Sequence, residues 1–193
     1  MSAHLVHKNP TLKEIEDKLS QSVNICYQCG KCSAGCPVRE FADMGPNKVV
    51  RFVQLGLYDE ALKSNMIWLC ASCITCTTRC PKNFEIAAIM DVLRQMALKR
   101  GYTTDKKVYK FHRSFNKMIK KHGRSYELGL MMDYKLSGVN FFQDVENAPA
   151  FFLKRKIELM PHKPKNSAVF KRIFEKVEKH LAQKTEEENI NHQ

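Results

Sequence analysis

Cys26-Tyr27-Gln28-Cys29-Gly30-Lys31-Cys32-Ser33-Ala34-Gly35-Cys36-Pro37 is answered 44 residues later by Cys70-Ala71-Ser72-Cys73-Ile74-Thr75-Cys76-Thr77-Thr78-Arg79-Cys80-Pro81. Both stretches read CxxCxxCxxxCP, and together they use all eight cysteines of the 193-residue chain. A single turn of backbone with a thiol at every third residue can deliver three ligands to one centre, and a fourth must come from elsewhere. Zinc fits this pattern poorly. CxxC pairs do bind zinc, but a third cysteine three residues on and a CP ending are not zinc-finger spacing. A disulfide framework belongs to secreted chains, whereas residues 1–19 have no apolar core of signal-peptide type and carry Lys13, Glu14, Glu16, Asp17 and Lys18. The cysteine usage predicts a reducing compartment, the cytoplasm.

The run is similar to that of bacterial two-cluster ferredoxins, in which the fourth cysteine of each run serves the other run's cluster. That resemblance implies two 4Fe-4S clusters, one on Cys26, Cys29, Cys32 and Cys80, the other on Cys70, Cys73, Cys76 and Cys36. Crossed fourth ligands would make the clusters the organising centre of the fold, so that metal-ligand energy becomes folding energy. In the first run Gly30 and Gly35 let the chain wrap close to inorganic sulfide. The second has no glycine, only small residues such as Ala71, Ser72, Thr75 and Thr77, plus Arg79. The two clusters are therefore expected to differ in potential.

Between Cys36 and Cys70 lie 33 residues that read as helix. Val49, Val50, Phe52, Val53 and Leu57 make an apolar face after Pro46, broken at Gly56, and Asp59 is placed to cap a short helix through Ala61 and Leu62. After the second run, Ile86, Ile89, Met90, Leu93, Met96 and Ala97 recur at three and four residues, with Gly101 as the stop. At the front, Thr11 and Glu14 have capping-box spacing for a helix carrying Leu12, Ile15 and Leu19. Pro37 and Pro81 suit the first turn of a helix leaving each run. No alternating strand pattern appears in the first hundred residues.

The order of helix, run, helical pair, run and helix resembles the alpha-helical ferredoxin domain shared by the iron-sulfur subunits of succinate dehydrogenase and the C subunits of anaerobic glycerol-3-phosphate dehydrogenase and heterodisulfide reductase. The stretches Val49-Val50-Arg51, Leu55-Gly56-Leu57, Ile67-Trp68-Leu69-Cys70, Ile86-Ala87-Ala88-Ile89-Met90 and Leu93-Arg94 are most similar to the heterodisulfide reductase form. Gly123-Arg124-Ser125-Tyr126-Glu127-Leu128 resembles part of its C-terminal region. The resemblance implies a mostly α fold: an N-terminal helix or arm over 1–20, a two-cluster ferredoxin domain over 21–100, and a basic, helical and loop-rich extension over 101–193 for subunit docking. It also implies a non-catalytic electron-transfer subunit of an obligate hetero-oligomer. Its partners would be a flavin/iron-sulfur subunit and a catalytic disulfide-reducing subunit of the type marked by paired adjacent cysteines.

Absences sharpen the expectation. Only 25 residues precede Cys26, too few for the plant-type 2Fe-2S domain of succinate dehydrogenase subunits, and no Cys-Cys pair occurs. No histidine lies between Cys26 and Cys80; His4, His7, His112, His122, His162, His180 and His192 are scattered. No catalytic residue is assigned, and no apolar stretch is long enough for a transmembrane helix. Two other classes fit the cysteines: a subunit linking a membrane quinone-reactive module to a dehydrogenase, and a structural or nucleic-acid-binding iron-sulfur protein.

The net charge of +12 concentrates between Arg94 and Arg124, where eleven Lys or Arg face the single acid Asp105. Val108, Phe111, Phe115, Met118, Ile119 and His122 fall on one helical face there. The bland reading is a core-facing helix with a solvated basic side. A docking face for an acidic protein is the sharper one; a membrane surface or nucleic acid is less well matched. Free shuttle ferredoxins are commonly acidic, which argues against a diffusible carrier. Phe141, Phe142, Phe151 and Phe152 bracket Asn147-Ala148-Pro149 in an expected aromatic loop, residues 160–165 read as an extended linker, and a last amphipathic helix is expected with Ser167 as cap and Phe170, Ile173, Phe174, Val177 and Leu181 on one side. The last dozen residues are expected to leave the helix.

Overall fold

The computed structural model describes residues 10–138, 164 and 167–190. Among them there is no strand. The chain divides into two compact units, 1–108 and 109–193.

The first unit holds α1 (Pro10–Leu19), a 3-10 turn (Val23–Ile25), α2 (Lys31–Ala34), α3 (Pro46–Gln54), α4 (Tyr58–Lys63), α5 (Met66–Leu69), α6 (Thr75–Thr78) and α7 (Ile86–Lys99). Its centre is α7. The three-and-four spacing buries Ile86, Ile89, Met90, Leu93, Met96 and Ala97, and α1, α3, α4, α5 and α6 all pack on that helix. α1 contributes Leu12, Ile15 and Leu19, α3 contributes Val49, Val50 and Val53, and Trp68 and Phe84 complete the core. Each large apolar side chain withdrawn from water is worth about 1.5–3 kcal/mol. α7 ends as its composition predicts: Gly101 takes φ +73°, its N–H donates to Leu98 O and that of Tyr102 to Ala97 O, the paired bonds of a Schellman turn.

Several sequence expectations are corrected. Pro37 and Pro81 open no helix. Each sits second in a reverse turn closed by Arg39 N–H to Cys36 O at 3.2 Å and by Asn83 N–H to Cys80 O at 3.1 Å, the turn position that proline's fixed φ favours. Pro46 takes the helix-opening role instead, at the start of α3. Asp59 lies inside the first turn of α4, whose cap is Leu57; there its carboxylate complements the helix N-terminus. Leu57 is accordingly exposed rather than on the buried face of α3. Thr11 is already helical, and Glu14 pairs with Lys18 at 2.7 Å instead of closing a capping box.

The second unit carries most of α8 (Lys106–His122), with α9 (Glu127–Leu136) and α10 (Ser167–Ile190). Asp105 caps α8, its carboxylate accepting from the N–H groups of Lys107 and Val108 at 3.1 Å. The packed row of α8 is Ser114, Met118 and His122, while Phe111 and Phe115 are exposed. Met118 and His122 of the predicted face are buried as expected, but Ser114 takes the place of Phe111 and Phe115, because α9 grips α8 through polar groups: Asp133 accepts from Ser114 Oγ at 2.7 Å and pairs with Lys117, and Lys110 donates to Ser137 O at 2.6 Å. Lys120 pairs with Glu178 of α10 at 2.6 Å. α10 begins at Ser167 and runs on through Glu186, Glu187 and Glu188 to Ile190, so the expected fraying is not found up to Ile190, and residues 191–193 lie outside the described residues; glutamate is a good helix former. The predicted aromatic loop of Phe141 to Phe152 and the linker over 160–165, Pro164 apart, lie outside the described residues.

Candidate metal centre

The two cysteine runs fold alike. In the first, Gln28 and Gly30 take left-handed φ of 63° and 78°; in the second, Ser72 and Ile74, at the same places, take 49° and 54°. These reversals turn the chain twice between the first and third cysteine, so that consecutive thiols point to one side. Each run then enters a four-residue helix, α2 or α6, carrying Cys32 or Cys76, and closes with Cys36 N–H to Ser33 O at 3.3 Å or Cys80 N–H to Thr77 O at 3.1 Å. α2 and α6 lie against each other. The side chain of Arg79 from the second run lies over Gly35, where a Cβ would stand 2.4 Å from its Nη1. Gly45 is likewise covered behind α2, where a Cβ would meet Ser33 Oγ at 2.4 Å.

Two concave spaces result. One is lined by Cys26, Cys29, Cys32 and Cys80, with Gln28, Gly30, Lys31, Asn47 and Ile86. The other is lined by Cys36, Cys70, Cys73 and Cys76, with Pro37, Val38, Pro46, Met66, Ala71, Ile74, Thr75, Ala87 and Met90. The first wall is the more polar. Both spaces are open to solvent at their mouths. Among the described residues no three His, Cys, Asp or Glu side chains converge closely enough to hold a single ion. A structural zinc would draw four thiolates to about 2.3 Å from one point; four sulfurs that line one space without such convergence fit a polynuclear iron-sulfur group.

All eight cysteines are free thiols. Cys29 and Cys73, the second of each run, are exposed, Cys32 is buried and the others lie between. Burial pushes the thiols of Cys26, Cys32, Cys70 and Cys76 above their ordinary range. Cys73 is held below it by side-chain and backbone hydrogen bonds with Thr75, whose Oγ1 is 3.4 Å from the sulfur. Gln28 Nε2 donates to Cys26 Sγ at 3.5 Å and Phe84 N–H to Cys80 Sγ at 3.4 Å, the kind of bond that tunes cluster potential.

Residues that spacing does not reveal hold the runs in place. Gln54, at the end of α3, donates to Val23 O at 3.0 Å and Cys26 O at 2.7 Å. Arg94, in α7, donates to Ile67 O at 2.8 Å and Cys70 O at 2.9 Å. Asp43 accepts from Ser64 Oγ, Asn65 N–H and Met66 N–H, fixing the start of α5 and hence the approach to Cys70. Ser33 donates to Asn47 Oδ1 and accepts from Asn47 N–H, tying α2 to α3. A polar residue beside a helix end is too common for any of these to stand out in the sequence.

Residues 25–85 match the family model of the 4Fe-4S dicluster domain. The chain is 39% identical over 87 residues to the iron-sulfur C subunit of CoB–CoM heterodisulfide reductase from Methanopyrus kandleri, covering 45% of each chain. It is 40% identical over 97 residues to the C subunit of ferredoxin:CoB-CoM heterodisulfide reductase from Methanosarcina acetivorans, covering 50% of this chain and 39% of that one. With the C subunit of the H(2):CoB-CoM heterodisulfide,ferredoxin reductase from Methanothermobacter thermautotrophicus it shares 28% over 103 residues, 51% of this chain and 56% of that one. The match thus spans about half the length of these curated relatives or less. Twin four-cysteine spaces and these likenesses agree: the chain carries a two-cluster 4Fe-4S domain related to that of the heterodisulfide reductase iron-sulfur C subunits.

Proposed function

We propose that the chain is a cytoplasmic electron-transfer subunit of a heterodisulfide reductase-like complex, with one cluster held by Cys26, Cys29, Cys32 and Cys80 and the other by Cys70, Cys73, Cys76 and Cys36. The observation that carries this reading is the grouping of thiols: three from one run and the last from the other line each space. When bound, the two clusters supply neighbouring one-electron carriers, the chemistry of a relay between a flavin/iron-sulfur subunit and a subunit that reduces or forms a disulfide. The protein's own contribution is to place and shield them. Met66, Ala87 and Met90 exclude water from one side of the second space, and exposed Cys29 and Cys73 leave one corner of each space open toward a partner.

The rest of the chain supports attachment to other subunits. α10 exposes Val169, Phe170, Ile173, Val177 and Leu181 at helical spacing, and apolar anchors of this kind dominate interface energetics. Among the described residues no helix is long and apolar enough to cross a membrane. Anaerobic pull-down from native extract tests the proposal. Recovery of about eight irons per chain together with a subunit bearing paired adjacent cysteines is expected. Iron-free material, or co-purification with a quinone-reactive membrane protein and no such subunit, contradicts it.

A further inference from the structure

Two side chains grip the cysteine runs in the same way with different charge. Gln54 Nε2 bonds the carbonyl of Cys26, the first cysteine of its run, and that of Val23, three residues earlier. Arg94 bonds the carbonyl of Cys70, the first of its run, and that of Ile67, again three residues earlier. Both come from the long helix that follows the run, α3 for Gln54 and α7 for Arg94. Each holds its own head in place with a second bond. Gln54 Oε1 accepts from Arg51 Nη1 at 3.2 Å and Gln28 Nε2 at 3.4 Å, and Arg94 Nη1 donates to Asp91 at 2.9 Å.

We infer that Gln54 and Arg94 are matched positioning residues, one for each cluster, and that Arg94, the gripping group that is itself charged, adds a fixed positive charge that raises the potential of the cluster built on Cys70, Cys73, Cys76 and Cys36. This rests on the ligand assignment proposed above. A cluster gains negative charge on reduction, so a cation fixed beside it favours the reduced form; charge and hydrogen bonding are among the levers that set iron-sulfur potentials. Asp91 does not cancel this. Its carboxylate accepts from Ser72 Oγ of the same run at 3.3 Å, but its side chain is 44% exposed against 20% for Arg94, so solvent screens the carboxylate more than the guanidinium, which is bonded to the Cys70 carbonyl itself. At the first run the gripping group is a neutral amide, and the guanidinium of Arg51 stands behind it, on Gln54 Oε1. The planar fork of Arg94 reaches two carbonyls and a carboxylate at once, which a lysine cannot copy.

The test is an EPR-monitored redox titration of the anaerobically reconstituted full chain, with Cys29→Ser and Cys73→Ser assigning each signal to a run. Arg94→Gln is expected to move the midpoint of the second-run cluster to more negative values and leave the first-run cluster where it was. Arg94→Lys should keep the midpoint near the parental one while that cluster bleaches faster under chelator, and Gln54→Leu should speed bleaching of the first-run cluster alone. If Arg94→Gln cannot hold its cluster, selective loss of the second-run signal upholds the inference, and equal loss of both overturns it. Unmoved midpoints, or an equal shift of both, in a variant with both clusters intact also overturn it. A parental chain lacking two clusters would instead sink the underlying assignment.

Discussion

The two cysteine runs share a backbone and differ in almost everything between the thiols. Left-handed residues, a four-residue helix, a closing bond onto the residue three before the last cysteine, and a proline turn recur at matching places. Yet the first run uses Gly30 where the second uses Ile74 at φ 54°, and the first space counts Gln28, Lys31 and Asn47 among its lining residues where the second has Pro37, Val38, Met66, Ala87 and Met90. The difference teaches that cysteine spacing and the CP turn specify the cage, while the residues between cysteines are free to vary and set stability and potential. β-Branched residues rarely adopt positive φ, so Ile74 marks a place where the cage geometry overrides local preference.

Removing iron should erase what the runs share. With the metal gone, the thiols no longer cross-link two halves of the first unit, and stability is expected to fall by an amount on the order of 10 kcal/mol, the scale of structural metal sites. Circular dichroism and thermal unfolding before and after anaerobic chelation read this out; an unchanged transition would show that the runs fold without their cargo. Exchanging the odd residue comes next. Gly30→Ile has open space for its Cβ but imposes left-handed strain of about 1–2 kcal/mol. Ile74→Gly removes similar strain at a residue that is 61% exposed, against the loss of a side chain that lines the second space. Glycine's extra entropy of roughly 0.5–1 kcal/mol trims the gain to below about 1 kcal/mol. Denaturant unfolding of the loaded chain should show loss in the first variant and gain in the second; equal losses would mean that the runs are less alike than their backbone suggests.

The smallest effect lies outside both runs and serves as their control. Lys117 and Ser114 hold the Asp133 carboxyl below the usual carboxylate range. Its folded pKa being depressed, this contact stabilises the second unit above the unfolded carboxyl pKa near ~3.9 and ceases to do so as pH falls through the lower folded value. Asp133→Asn is expected to cost about 1 kcal/mol at neutral pH and almost nothing in strong acid, with the cluster absorption unchanged. A variant that bleached the clusters would join the second unit to the metal centre after all.

Much of this was legible in the sequence because it rests on strong local signals. The cysteine runs, the buried face of α7 with its Gly101 stop, and α1's Leu12, Ile15 and Leu19 follow from spacing alone. Where local signals competed, tertiary context decided. Pro37 and Pro81 are compatible with a helix start or a turn, and both take the second position of a turn closed by the N–H of Arg39 and of Asn83. Met118 and His122 are buried as the spacing predicts, while Phe111 and Phe115 lost the buried side of α8 to Ser114, since Asp133 of α9 draws Ser114 and Lys117 toward it. The roles of Gln54, Arg94 and Asp43 could not be read, although Leu93-Arg94 belongs to the resemblance, because the carbonyls and N–H groups they hold on the runs and on α5 lie more than twenty residues away, and no periodicity encodes such pairs.

That each run completes the other's cluster is tested most directly by Mössbauer spectra of the anaerobically purified Cys80→Ser chain. The expected spectrum matches that of Cys29→Ser, with the second-run cluster intact. A spectrum matching Cys73→Ser would contradict crossed ligation.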